Sequence, residues 1–78
     1  MAHPIHDKRY DRVAKLLAEL RKEKDLTQQE VAARLKKPQS YIGKIEKNAR
    51  RLDIVELHDL LHAIGVEPNE FNDRLAGR

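Results

Sequence analysis

Hydrophobic residues recur along the chain at spacings of three and four, a pattern typical of helices that bury one face. The longest such segment runs from about Asp7 to Lys24, and Asp7 can cap its start. A second segment opens at Asp53 and closes at Gly65, because glycine suits the position just after a helix. The apolar positions are Val13, Leu16, Leu17 and Leu20 in the first segment and Ile54, Leu57, Leu60, Leu61 and Ile64 in the second. Two amphipathic helices are therefore predicted.

A capping box marks the start of a shorter helix between these two. Thr27 stands three residues before Glu30, so its hydroxyl can accept from the Glu30 amide while the Glu30 carboxylate reaches back. The apolar stripe of this helix is Val31, Ala32 and Leu35. The helix is only about two turns long, so packing rather than intrinsic propensity must hold it.

A further helix is predicted from Pro38 to about Lys47, because Pro38 disfavours helical dihedrals at Lys37 and can open the next helix. Ile42 and Ile45 form its apolar back, and Asn48 is its predicted left-handed stop. The other face carries Gln39, Ser40, Gly43, Lys44 and Lys47. An apolar back with a front of glutamine and lysine is what a helix that reads a DNA groove requires.

A fifth short segment, from about Pro68 to Leu75, has Phe71 and Leu75 as its apolar pair. No alternating strand pattern appears in the sequence. The pattern predicts an all-α fold, a compact bundle of five helices in one domain over residues 7–75. Residues 1–6 are expected to be a flexible N-terminus and residues 76–78 a C-terminal end.

The charge of the chain is unevenly distributed. The formal net charge of the 78 residues is +3. Residues 34–51 carry seven basic side chains against Glu46 alone, whereas residues 52–78 have a net charge of −4. A basic middle third beside an acidic final third predicts a polyanion-binding surface on the middle third, with the acidic part turned away.

Several function classes are excluded or disfavoured by composition. The chain has no cysteine, which excludes thiol catalysis and cysteine-based zinc sites and favours a cytoplasmic protein. No apolar run is long enough to cross a membrane. His58 and His62 are four residues apart on one helix, but no third ligand is evident, so neither a metal nor another cofactor is expected. No enzyme hypothesis survives, since no nucleophile–histidine–acid grouping or glycine-rich phosphate loop is evident.

Three stretches of the chain, in this order and spacing, closely resemble the Xre/Cro-type helix-turn-helix domain. They are Leu26-Thr27-Gln28-Gln29-Glu30-Val31-Ala32-Ala33-Arg34-Leu35, Pro38-Gln39-Ser40-Tyr41-Ile42-Gly43-Lys44-Ile45-Glu46-Lys47-Asn48, and Leu57 through Ala63-Ile64-Gly65-Val66. The match covers roughly residues 12–66. The resemblance implies a lambda-repressor-like fold of five helices, with the third helix in the DNA major groove.

The resemblance also implies roles for individual residues. Gln28, at the start of the second helix, falls where a side chain typically meets a phosphate. Arg21 and Glu46 fall on positions that commonly form an ion pair between the first and third helices. The positions that typically face base edges are Gln39, Ser40 and Lys44. Of these, Gln39 can bond adenine in a bidentate way, and Lys44 can donate to guanine or merely to a phosphate.

The basic cluster around the third helix suggests phosphate contacts, which give affinity without sequence information. Its members are Lys37, Lys47, Arg50 and Arg51. Tyr41 lies beside them in the sequence and has two possible roles. Its hydroxyl can bond a phosphate, or its ring can pack against the second helix.

The sequence departs from the family pattern at three positions. Lys36 stands where a glycine often ends the second helix, so this turn must take another shape or bear strain. Pro38 replaces the hydroxyl residue that usually caps the third helix. Gly43 replaces a serine-like residue and costs about 1 kcal/mol of helix stability relative to alanine. It either lets the helix approach a phosphate closely or is a tolerated small residue.

The predicted function is sequence-specific binding of double-stranded DNA to regulate transcription. One short helix reads few bases, so a homodimer on a palindromic site is expected. The predicted dimer surface consists of Leu61, Ile64, Val66, Phe71 and Leu75. The alternative function is an antitoxin that binds a toxin protein and regulates its own synthesis through the same domain.

Overall fold

The computed structural model describes residues 7–77, so the flexible N-terminus predicted for residues 1–6 lies outside the described residues, as does Arg78. It contains five helices: α1 (Lys8–Glu23), α2 (Gln28–Arg34), α3 (Gln39–Glu46), α4 (Ile54–Ile64) and α5 (Pro68–Leu75). No strand occurs between residues 7 and 77. The all-α prediction is confirmed, and every helix begins and ends within about one residue of the bounds expected from caps and periodicity.

The helix starts follow from local side-chain chemistry. Thr27 and Glu30 form the predicted capping box, in which the Glu30 amide donates to the threonine oxygen over 3.0 Å and the Glu30 carboxylate accepts from the Thr27 amide over 2.9 Å. Asp53 and Glu56 form a second box at the start of α4. These bonds satisfy amides that have no partner inside the helix. Pro38, by contrast, supplies no side-chain bond at the start of α3.

Four helices end in the same backbone motif, in which a residue with left-handed dihedrals reverses the chain. The residue after that position returns its amide to a carbonyl in the last turn of the helix, as Lys37 does to Ala32 over 2.9 Å. The left-handed residues are Asp25, Lys36, Asn48 and Gly65. The predictions for Asn48 and Gly65 are confirmed. Lys36 keeps the turn shape that glycine would favour, at a φ of 56°, and therefore bears the strain.

Replacing Lys36 with glycine should raise the free energy of unfolding by about 0.5–1 kcal/mol, because the left-handed strain on a β-carbon outweighs the extra chain entropy of glycine. Urea unfolding followed by circular dichroism measures the change. Lys37→Gly is the matched control, since Lys37 has no positive φ. Equal stabilisation by both variants would show that charge removal, not backbone strain, is responsible.

The hydrophobic core is almost entirely aliphatic and lies where all five helices meet. Its largest fully buried side chains are Phe71, Leu17, Leu20, Ile42, Leu61 and Val31. From α4 and α5 the core takes Leu60, Leu61, Ala63, Ile64 and Phe71, whereas Ile54 and Val55 stay exposed. This division corrects two predictions made from sequence.

The first correction concerns the predicted dimer surface. Leu61, Ile64, Val66 and Phe71 are 1–4% exposed, and Leu75 is half-buried against the same cluster. Side chains that fill the core of one protomer present no surface to another, so Leu61, Ile64, Val66 and Phe71 do not form a dimer surface. The assignment of Leu75 stays a prediction.

The second correction concerns Ile54, which was expected on the buried face of α4. Ile54 is the first residue of that helix and remains 64% exposed. The first two residues of α4 are exposed, Leu57 is half-buried, and the fully buried positions of the helix begin at Leu60.

Candidate nucleic-acid interface

α2 and α3 form the closest-packed pair of helices, and they are joined by the turn at Lys36. Ile42 and Ile45 fix α3 from behind, since both are buried in the core. Side chains on the opposite face stay exposed, namely Gln39, Ser40, Lys44 and Lys47. The helix therefore presents the polar front that the sequence predicts, on a rigid apolar back.

A chain of side-chain hydrogen bonds links this front to the first helix. Arg21 donates to Glu46 from Nε over 2.7 Å and from Nη2 over 3.0 Å, a bidentate pair with both side chains about 10% exposed. Gln28 Nε2 donates to the same carboxylate over 2.9 Å, and Gln28 Oε1 accepts from Gln39 Nε2. α1, α2 and α3 thus meet at Glu46, and the pairing raises the pKa of Arg21.

This chain of bonds determines what Gln39 can offer to a ligand. One of its two amide hydrogens is used by Gln28, and the residue as a whole is exposed. The other N–H and the carbonyl oxygen are the kinds of group that can pair with the N7 acceptor and N6 donor of adenine.

Gly43 lies beneath the glutamine pair. A β-carbon at this position would be 3.4 Å from Gln39 Nε2 and 3.6 Å from Gln28 Oε1, and the residue is buried. Separations of this size are ordinary van der Waals contacts, so the glutamine pair also leaves room for an alanine at position 43.

A second group of polar side chains surrounds Tyr41 at the side of α3. The cations of Lys37 and Arg50 lie 5.3 and 4.7 Å from its ring centre, within the range of cation–π attraction. Burial, together with the negative charge of Glu56, raises the pKa of the Tyr41 hydroxyl, which remains protonated at neutral pH and can donate. The ring also packs against the hydrophobic core.

The predicted phosphate-contacting residues are not equivalent in the structure. Arg50 is bound to Glu56 over 2.9 Å, and this pairing lowers the pKa of Glu56. The guanidinium of Arg51 lies 3.9 Å from the ring centre of Tyr10. Lys37, Lys44 and Lys47 are exposed. Gln28, predicted to meet a phosphate, uses its amide inside the protein as described above.

Sequence reasoning missed two contacts that fix this surface. Asn48 Nδ2 donates to Asp11 over 2.7 Å and ties the end of α3 to α1. Arg34 donates to the carbonyl of Ala63 over 2.7 Å and ties α2 to the end of α4. Both join residues far apart in the chain, so no local pattern could have indicated them.

Metal and membrane features are absent from the described part of the chain. Between residues 7 and 77, no group of three or more potential ligands could hold a metal ion. Within the same residues, no helix combines the length and apolar character needed to span a bilayer.

Comparison with known proteins agrees with this geometry. A family model described as helix-turn-helix (HTH_3) matches residues 17–71. The chain belongs to this helix-turn-helix family. Its domain is of the Xre type, and the family comprises DNA-binding transcriptional regulators, which are not an enzyme class.

Three similar proteins illustrate the match. The HTH-type transcriptional regulator y4dJ of Sinorhizobium fredii is 41% identical over 54 residues, which cover 69% of this chain and 70% of that protein. An XRE-family-like protein of Pseudomonas syringae pv. tomato is 41% identical with a TM-score of 0.84, over 94% of this chain and 89% of that one. The restriction-modification controller protein C.Esp1396I, solved as a tetramer with its natural 35-base-pair operator, is 26% identical with a TM-score of 0.86, over 92% and 95%.

Proposed function

We propose that this protein regulates transcription by binding specific double-stranded DNA, with α3 inserted in the major groove. The observation that carries the proposal is the exposed front of α3, where Gln39 has an N–H and a carbonyl oxygen of the kinds that pair with adenine. The operator complex of the similar controller protein supports it. Such a regulator acts where the chromosome is, which in a bacterium is the cytoplasm.

Base recognition is assigned to three side chains of α3. Gln39 reads adenine through its second N–H and its carbonyl oxygen. Lys44 lies about one turn after Ser40 and donates to guanine O6 and N7. Ser40, at the start of the helix, meets a base or the adjoining backbone.

Phosphate contacts are assigned to polar groups in and around α3. Lys37, Lys47 and Arg51 contribute positive charge, and the Tyr41 hydroxyl donates a hydrogen bond. Arg50 contributes less than its charge suggests, because Glu56 already neutralises it. Gln28 donates one amide hydrogen to Glu46, so only its second amide hydrogen can donate to a phosphate.

The protein acts as a homodimer on a palindromic operator. A single α3 of eight residues exposes three candidate base readers, too few to select one site in a genome. Two copies related by a two-fold axis would place two such helices in successive major grooves on one side of the duplex.

Selection from random DNA duplexes tests the proposed function directly. Repeated rounds of binding and amplification should enrich a two-fold symmetric sequence, with an adenine at a fixed position in each half-site. Enrichment of no sequence, with equal affinity for all duplexes, would contradict sequence-specific regulation.

Replacing Lys47 with alanine should weaken binding to cognate and random duplexes alike and reduce the salt slope by about 1 for each protomer bound, because a lost phosphate contact releases one counterion fewer. Fluorescence anisotropy at several salt concentrations measures the slope. Arg50→Ala is the comparison, and its smaller expected change follows from the pairing with Glu56. An unchanged slope for Lys47→Ala would remove Lys47 from the DNA-contacting surface.

A further inference from the structure

The guanidinium of Arg50 is bound by a carboxylate of the protein itself, beside the surface proposed to contact DNA. It donates from Nη2 to one oxygen of Glu56 over 2.9 Å and from Nη1 to the other oxygen over 3.3 Å. The fork of an arginine fits the two oxygens of a carboxylate and those of a phosphate in the same way. Glu56 therefore occupies the groups with which Arg50 would hold a phosphate.

Arg50 lies close to the residues of α3 to which DNA contacts are assigned. Its guanidinium carbon is 4.7 Å from the ring centre of Tyr41, the residue that follows Ser40. Lys37 approaches the same ring, with its ammonium nitrogen 5.3 Å from the centre. Two cations thus meet at one aromatic ring, and the carboxylate of Glu56 cancels one of the two positive charges there.

Two other contacts hold Arg50 independently of Glu56. Nη1 donates to the carbonyl oxygen of Arg51 over 2.9 Å, and the guanidinium lies over the ring of Tyr41. Arg50 should therefore keep its place when residue 56 carries no charge. The side chains of Arg50 and Glu56 are 37% and 29% exposed, and an ion pair that water reaches contributes little to stability. A phosphate in the solvent can therefore compete with Glu56 for Arg50.

The start of α4 explains the position of Glu56 but does not require its charge. Glu56 Oε1 accepts from the Asp53 amide over 3.1 Å, and the Glu56 amide donates to Asp53 over 2.8 Å. A glutamine completes the same capping box, because its amide oxygen also accepts. The charge itself acts mainly on Arg50, whose hydrogen bond is the largest cause of the lowered pKa of Glu56.

We propose that Glu56 determines the affinity of this surface for DNA, because its carboxylate competes with a DNA phosphate for the guanidinium of Arg50. When Arg50 turns to a phosphate, Glu56 is left as an unpaired negative charge beside a polyanion, and this cost offsets the new contact. The inference rests on the proposed function, since it requires that α3 and the residues around it contact DNA.

Glu56→Gln tests the competition, because it removes the charge and keeps the capping box. Affinity for random duplexes should rise, and the salt slope should become steeper by about 1 for each protomer bound, since Arg50 then neutralises one more phosphate. A slope change of this size corresponds to an affinity advantage that grows by about 3-fold per protomer as salt falls from roughly 200 to roughly 50 mM. Fluorescence anisotropy across this range of salt measures both quantities.

Two further variants show whether Glu56 acts through Arg50. Adding Glu56→Gln to Arg50→Ala should leave the salt slope as it is in Arg50→Ala alone, since coupled substitutions are not additive. An equal increase in both backgrounds would overturn the inference, because the cause would then be the loss of a negative charge near DNA and not the release of Arg50. Glu70→Gln is the matched control for net charge. Glu70 is exposed in the first turn of α5, which packs against α1, and this variant should bind as the wild type does.

Two other results would overturn the inference. An unchanged salt slope for a Glu56→Gln variant with the circular dichroism of the wild type would show that Glu56 only caps α4. A weaker affinity of the same folded variant would show that Glu56 orients Arg50 for DNA instead of competing for it. These measurements use random duplexes and do not depend on sequence preference. Failure to enrich any sequence would therefore contradict the proposed specific regulation, while the salt slopes would still decide the role of Glu56.

Discussion

Replacing Glu46 with alanine should lower the free energy of unfolding by about 3–5 kcal/mol, the usual consequence of leaving one member of a buried ion pair without its partner. Arg21 is 8% exposed and its guanidinium makes two bonds to Glu46. Its remaining bond, to the carbonyl of Leu26, does not compensate the charge. The total free energy of unfolding of a domain of this size is roughly 5–10 kcal/mol, so the variant should lose a large part of its stability.

Glu23→Ala is the matched control for this prediction. Glu23 pairs with Arg74 in a similar bidentate geometry, but the two side chains are 49% and 32% exposed. Water therefore solvates both partners when the pair is broken, and the loss of stability should be far smaller. Urea unfolding of both variants against the wild type is the measurement. Equal losses of the free energy of unfolding would show that burial does not make the Arg21–Glu46 pair more stabilising than the exposed pair.

The starts and ends of the helices were predictable because their causes are local. Thr27 and Glu30 satisfy each other within one turn, and Asn48 and Gly65 adopt left-handed dihedrals for reasons internal to those residues. The strain at Lys36 could also be predicted from one residue, because this lysine stands at a helix end where a glycine is usual. Local chemistry of this kind is visible in the sequence without knowledge of the tertiary structure.

Which apolar residues remain exposed could not be predicted in the same way. Periodicity places Ile54 and Leu61 on one stripe, yet one is 64% and the other 1% exposed. The difference depends on which part of α4 packs against the other helices, which is a tertiary property. The apparent excess of apolar residues led sequence reasoning to a dimer surface at positions that lie in the core, and only the structure distinguishes core positions from exposed ones.

The polar front of α3 was predicted as a set of residues, whereas the bonds among them were not. Gln28 is eleven residues from Gln39 and eighteen from Glu46, and three helices must pack before they meet. Sequence reasoning predicted that Gln28 contacts a phosphate. In the structure its amide nitrogen donates to Glu46 and its amide oxygen accepts from Gln39, two bonds that no local pattern indicates.

Replacing Gln39 with alanine should weaken binding to the cognate operator by about 1–3 kcal/mol per half-site, and binding to random duplexes much less, because the residue reads a base and supplies no charge. Anisotropy titrations with both kinds of duplex at one salt concentration give the two affinities. The salt slope should be unchanged, which distinguishes this variant from Lys47→Ala. Equal losses on cognate and random DNA would show that Gln39 contributes no sequence information.

Gln28→Ala separates orientation from contact at the same position. It removes the acceptor that fixes Gln39 and leaves the Gln39 side chain in place. If Gln28 orients Gln39, this variant should lose part of the discrimination lost by Gln39→Ala, and the double variant should lose no more than Gln39→Ala alone, since coupled residues are not additive. Additive losses would mean that the two glutamines contact DNA independently, and that the bond between them in the free protein has no part in recognition.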